Sequence, residues 1–259
     1  PFPLQAAQVS PFYAQLAAAP GGGAILNVPV DPYASKPYMY AQTVHGRPIV
    51  QGRLTRYPEG VFGYLDGQPW IRAMRRYNDI PPRQTDISRQ LGALEEDDIR
   101  YLIVHKGLIG DAHWGRWARY LALEPRFNDE DIAVYGTSVV GQDFELAFEP
   151  MPDLGVIRAI PSSSCIRPGH ALQVDVAWGA RAPPGKDLKV VLALVSPDGT
   201  ARHRADFAIA ADWPSRDWPA NAVVWGQYST QVPADLPAGA YDLTLALSDA
   251  ATGLALGEP

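Results

Sequence analysis

The sequence predicts an α+β chain of two domains: a small α/β layer domain over residues 1–146, followed by an antiparallel, immunoglobulin-like β-sandwich over 147–259. Three observations predict it. Helix-like and strand-like patterns alternate in the first half. Beyond about residue 147 the texture changes to short alternating strands separated by Pro and Gly turns. At the change, "GQDFELAFEPMPDLG" carries Pro150 and Pro152, which disfavour a continuing helix. No fixed-period repeat is visible.

The first half reads in order as follows. "VSPFYAQLAAAPGGG" is a short helix, with Ser10 as its cap, Pro11 at its first position and Gly21 to Gly23 ending it. "AILNVPV" is a buried strand. "KPYMYAQTVHG" is a short helix or turn closed by Gly46, and "RPIVQG" begins another strand after Pro48. "TDISRQLGALEEDDI" is a helix capped by Thr85 or Asp86. "IRYLIVHKG", residues 99–107, is a nearly continuous apolar strand, expected to be central and to pack against the 38–56 segment in one sheet. "HWGRWARYLA" is a helix despite Gly115, and "PRFNDEDIAVYGT" a hairpin turning at Asn128 to Glu130.

The second half is a run of strands. "HALQVDVAW" places Leu172, Val174, Val176 and Trp178 on one face. "LKVVLALVS" follows, with a turn at Pro197 to Gly199, then "ARHRADFAI", "AVVWGQYSTQV" and "AYDLTLALS".

Composition narrows the function classes. The chain has 259 residues, 47% hydrophobic and 19% charged, which supplies a core and excludes global disorder. A formal net charge of -6 with no basic run argues against a nucleic-acid partner. The single cysteine, Cys165, forms no intrachain disulfide, and no CxxC metal pattern exists. No run of about 18 apolar residues is present. The start at Pro1, without Met, reads as a piece of a longer or processed parent.

The stretch "YMYAQTVHGRPIVQGRLTR", residues 38–56, gathers most of the candidate ligand-binding residues. Tyr38, Tyr40, Gln42, Arg47, Gln51, Arg53 and Arg56 suit a polar groove, Arg forks for phosphate and Tyr rings for sugar faces. The competing reading is a loop and strand edge whose polar groups pair with Asp31, Asp66 or solvent. His45 has the chemistry of a general base, but no nucleophile and orienting carboxylate stand beside it in sequence, so no catalytic residue is assigned. The bland reading of His45 is a helix-end residue bonded to its neighbours. Trp213 and Trp218, in a Pro-containing loop, would form a carbohydrate platform if exposed. Trp114 and Trp117 share a helical face and are expected in the core. "EEDD", residues 95–98, is a solvated surface rather than a metal site. No cofactor or metal is expected.

"AILNVPVDP", "YMYAQTVHGRPIVQGRLTR", "IRYLIVHKG" and "FNDEDIAVYGT", in that order, resemble the soluble C-terminal region of bacterial polytopic membrane glycosyltransferases of the protein mannosyltransferase and aminoarabinose transferase type. The resemblance covers about residues 10–138, and the second half resembles a β-sandwich appended to many such proteins. It implies an extracytoplasmic accessory region, attached to the cell membrane through a preceding membrane-embedded part, in an enzyme using polyprenyl-phosphate sugars. The partners it implies are that membrane part and a glycan or lipid-linked sugar. The family's catalytic acids belong to membrane-loop segments with no counterpart here, so none is transferred. The alternative is a free-standing secreted carbohydrate-binding or cell-surface protein. A third reading, an independent hydrolase, would need His45 in a deep pocket beside a carboxylate.

Overall fold

The computed structural model describes residues 9–31, 34–52, 60–68, 71–72, 87–138 and 142–256. Its described residues are mostly β, with twelve strands in three four-stranded sheets and a few short helices. The chain divides into two compact units, Pro1–Ile80 with Arg89–Ser138, and Pro81–Ser88 with Val139–Pro259.

In the first unit, α1 (Phe12–Ala18) buries Phe12, Tyr13 and Leu16. It leads through the glycine run to β1 (Ala24–Val28), which ends at a cis Val28–Pro29 peptide. α2 (Ser35–His45) buries Tyr38, Ala41 and His45 at helical spacing. It stops where the sequence predicts, because Gly46 takes φ 68° and returns its N–H to Gln42 O. After α3 (Val61–Gly67) and α4 (Ile87–Glu96), which belongs to this unit from Arg89 onward, comes β2 (Ile99–His105). Two helices follow, α5 (Lys106–Ile109) and α6 (Asp111–Leu121), then the hairpin of β3 (Phe127–Asn128) and β4 (Ile132–Gly136).

The sheet order is β1-β2-β4-β3, with β1 and β2 parallel and the other pairs antiparallel. Phe12, Tyr13, Leu16, Ile25, Ala41, Ile103, Ile132 and Val134 pack into one apolar cluster. The expected strand at "PIV" shrinks to a single parallel bridge, Ile49 to Ile25. Ile25 N donates to Pro48 O at 2.9 Å and Val50 N to Ile25 O at 2.9 Å. The segment therefore lies along β1, not along β2, because β1 and β4 already occupy both sides of β2.

In the second unit, β5 (Phe148–Met151), β6 (Leu154–Pro161), β7 (Ala171–Ala180) and β10 (Ala222–Gln231) form one antiparallel sheet. β8 (Leu188–Val195), β9 (Ala201–Ala208), β11 (Asp242–Asp249) and β12 (Ala255–Leu256) form another. Both contribute to one core: Val156, Val174 and Trp178 come from the first, Val190, Leu192 and Leu247 from the second. Two sheets closing on shared apolar side chains make a sandwich. Inside it, Trp178 Nε1 donates to Tyr228 Oη at 2.7 Å, and that hydroxyl donates to Ile209 O at 2.6 Å. The edge strand β9 is charged, with Arg204 paired to Asp206 at 3.2 Å, a composition that discourages edge-to-edge pairing.

Candidate functional site

Tyr38, Gln42, His45, Arg47 and Gln51 engage the protein itself. Arg47 is 7% exposed. Its Nε and Nη2 donate to Leu16 O at 3.4 and 3.2 Å, Nη2 also to Ala19 O at 3.0 Å, and Nη1 to Gly22 O at 2.6 Å. The guanidinium thus satisfies the carbonyls left open where α1 ends. His45 is buried, stacks on Tyr13 at 5.5 Å between ring centroids, and accepts Arg47 N–H on Nδ1 at 3.0 Å. Burial, then the Arg47 charge, hold its pKa below the ordinary histidine value.

Tyr38 is fully buried, donates to Pro29 O at 3.0 Å and packs its ring 4.4 Å from that of His105. Gln42 Nε2 donates to Arg47 O at 3.1 Å. Gln51 reads β1 as a neighbouring peptide would: its Oε1 accepts Asn27 N–H at 3.4 Å and its Nε2 donates to Asn27 O. Tyr40 is 48% exposed, beside the exposed Met39 and Val44 on the outer face of α2. Arg53 and Arg56 lie outside the described residues. The groove expected from the sequence therefore does not assemble from Tyr38, His45, Arg47 and Gln51, whose polar atoms face the fold's own backbone.

The tryptophan platform expected from the sequence does not form either. Trp213 is 8% exposed and Trp218 1%, both within the sandwich core. The loop folds back through a 3-10 turn at Ser215–Asp217, and Trp218 Nε1 donates to Trp213 O at 2.9 Å. Ser215 anchors it, accepting Leu188 N–H at 2.9 Å and donating to Lys186 O at 2.9 Å. A proline-bearing loop is exposed only if nothing pins it, and Ser215 pins this one.

The first unit does contain an open pocket, of about 300 Å3, at the carboxyl end of β2. Parallel strands commonly place ligands at that end. Ser10, Tyr13, Ala41, His105, Leu108 and Asp131 are among its walls. His105 Nε2 lies 3.0 Å from Asn27 Oδ1 and 3.4 Å from Tyr13 Oη. Burial pushes its pKa down to about 3, against a weaker upward pull from Asp129, so the imidazole is neutral through the physiological range. Burial, then Asp129, push the Tyr13 phenol up, which keeps it protonated.

Asp129 organises the turn between β3 and β4. Burial alone would raise it, but Ser10 Oγ–H at 2.6 Å and the N–H groups of Ile132 at 2.7 Å and Asp131 at 2.9 Å hold it below the usual carboxylate range. Lys106 contributes its charge and bonds Asn128 Oδ1 at 2.6 Å and Asp129 O. Ser10 Oγ in turn accepts Phe12 N–H at 3.3 Å, so the hydroxyl works as a helix-start clamp. Ser10 bonds a carboxylate rather than a histidine, and His105 is a weak base. The arrangement offers hydrogen-bonding positions to a polar ligand rather than an activated nucleophile. Among the described residues no group of three His, Cys, Asp or Glu gathers, and no helix is long and apolar enough to cross a membrane.

No protein-family model matches the sequence, and no curated protein is significantly similar to it. Solved structures with partial likeness include the C-terminal domain of wzt, at 12% identity and a TM-score of 0.32, over 43% of this chain and 74% of that one. A Niemann-Pick type C2 protein from Japanese carpenter ant is 14% identical at a TM-score of 0.31, over 44% of this chain and 92% of the other. Chicken MD-1 complexed with lipid IVa is 8% identical at 0.26, again over 44% and 92%. Likeness at these scores carries no argument, and the fold assignment rests on the sheets themselves.

Proposed function

We propose that this chain is a non-catalytic, extracytoplasmic accessory region of a membrane glycosyltransferase that uses polyprenyl-phosphate sugars. In this reading it is a two-domain region, an α/β layer domain over 1–146 and an immunoglobulin-like sandwich over 147–259, held outside the membrane by the membrane-embedded part of its parent. The observation that carries the proposal is the fate of the 38–52 segment. Its Arg47, His45, Tyr38 and Gln51 are consumed in fastening α1, β1 and α2 together. Such a segment supports a scaffold role. The outward Met39, Tyr40 and Val44 on α2 supply an apolar face for docking on the rest of the parent or on acceptor. The carbohydrate-binding alternative loses its main support with the burial of Trp213 and Trp218.

Two measurements test this. The isolated chain is expected to show no turnover of polyprenyl-phosphate sugars or simple glycosides. Turnover abolished by His45→Ala or His105→Ala, but kept in Arg204→Gln, would overturn the non-catalytic reading. In the parent, deletion of the region with membrane insertion intact is expected to reduce sugar transfer. Unchanged transfer would remove the accessory role.

A further inference from the structure

A second opening in the first unit lies at the opposite end of the sheet. It holds about 510 Å3 where Gly21 and Gly22 precede β1, Asp98 and Arg100 flank the start of β2, and Arg126 approaches the end of β4. Three guanidiniums line it, those of Arg47, Arg100 and Arg126, against two carboxylates, Glu95 and Asp98. Arg100 engages both acids, Nη1 to Glu95 Oε1 at 3.1 Å and Nε to Asp98 Oδ1 at 3.0 Å. Arg47 is buried and its side-chain bonds all end on neutral carbonyls, so its charge meets no counter-ion there. Arg126 has no hydrogen-bond or ion-pair partner for its side chain among the described residues.

Arg126 is nevertheless seated. A Cβ at Gly136 would lie 2.5 Å from its Nε and 2.6 Å from its Cζ, so the guanidinium occupies the space that any other residue would fill. A glycine inside a strand commonly marks such a close approach. Gly21 and Gly22 leave the facing wall open, with nothing within 4 Å of where their side chains would begin. On a chain of formal net charge -6, this pocket carries the opposite sign.

We propose that this pocket binds a phosphate-type oxyanion, received by the fork of Arg126 with the fixed charge of Arg47 behind it. A guanidinium fork matches two phosphate oxygens at once, and the exposed Arg126 presents its fork to solvent. The inference stands apart from the accessory role: the pocket's chemistry is the same whether or not the parent is a glycosyltransferase. The phosphate has two possible sources, a free phosphate group and a lipid headgroup, and two probes separate them.

Inorganic phosphate is titrated into the full chain at constant ionic strength, with the amide signals of Gly21 and Gly22 as the readout. Phosphatidylcholine vesicles with and without phosphatidic acid are the second probe, read by co-sedimentation. Saturable shifts with phosphate point to the free group; binding that requires phosphatidic acid points to the headgroup. In either arm Arg126→Gln is expected to weaken binding by about tenfold, the scale of one bidentate charged contact. Gly136→Ala displaces only the end of a flexible side chain and is expected to fold and to weaken binding in the same direction. Arg204→Gln, on β9, is expected to change nothing. Absence of a saturable response to both probes, or equal weakening by Arg126→Gln and Arg204→Gln, would overturn the proposal.

Discussion

Replacing Arg47 by alanine removes four hydrogen bonds in one step, from a residue 25 to 31 positions downstream of the carbonyls it serves. The cost follows from where those carbonyls lie. Gly22 is exposed and its carbonyl is free to hydrate, whereas Leu16 is 2% exposed and its carbonyl would lose both bonds. One buried acceptor left unmade costs about 1–3 kcal/mol, and the packing of the arginine stem adds about 1 kcal/mol. The sum is about 3 kcal/mol, which lowers the melting temperature of a unit this size by about 10 °C. α1 has only seven residues, well below the length at which an isolated helix is stable, so its amides should also lose exchange protection first. Arg47→Lys keeps the charge but presents one compact ammonium where three carbonyls diverge, and an intermediate loss is expected. The assays are thermal unfolding and amide exchange of the chain, with Arg204→Gln as a surface reference. A shift for Arg47→Ala within about 0.5 kcal/mol of wild type, the range of surface substitutions, would refute the capping argument.

Tyr228→Phe strands the indole N–H of Trp178 and the carbonyl of Ile209, and urea unfolding should show a loss of about 1–3 kcal/mol in the sandwich. Gly226→Ala should destabilise at least as much, because its Cβ would meet the Tyr228 hydroxyl and the Ile209 carbonyl, 2.6 Å away, the latter being backbone that cannot step aside. His105 is folded with its pKa near 3 against an ordinary 6.5, so the unfolded chain binds the extra proton between those values. Stability should therefore be full above about pH 6.5 and fall as pH drops toward 3, and His105→Gln should flatten that slope in acid-unfolding curves. Trp218→Ala should cost about 3–5 kcal/mol as a core truncation while leaving any response to soluble sugars unchanged; a lost sugar response in a variant of unchanged stability would restore the platform reading.

Local chemistry made several elements readable. Gly46 ended α2 because only a residue tolerant of φ 68° turns the chain there. The apolar run 99–105 became a strand covered on both sides, and Asp129 made the turn that its neighbours' free N–H groups required. The polar site was less readable. Arg47 looks in sequence like a phosphate fork, but backbone carbonyls compete for the same donors, and which carbonyls converge depends on tertiary folding. Gln51 is a surface-type residue used as a substitute peptide, a role without a sequence signature. His105 reads in sequence as the tail of an apolar strand, although its place at the carboxyl end of a parallel strand is where such folds commonly hold ligands. Arg126 carried one legible clue, the glycine at 136 on the strand it lies against.

The pairing of Gln51 with Asn27 also bears on how this unit recognises other molecules. The far margin of its sheet is β3, two residues long, and the near margin, β1, is already met by Ile49 and by the Gln51 amide. Recognition by strand addition needs a length of unoccupied main chain at a sheet border. Among the described residues neither border supplies one, so an extended peptide gains little purchase here and tandem copies find little template for zippering into a continuous ribbon. Among the described residues, what remains for recognition is side chains, helical faces and pockets such as the two above, and selectivity then depends on shape and charge rather than on a backbone register that any sequence can satisfy.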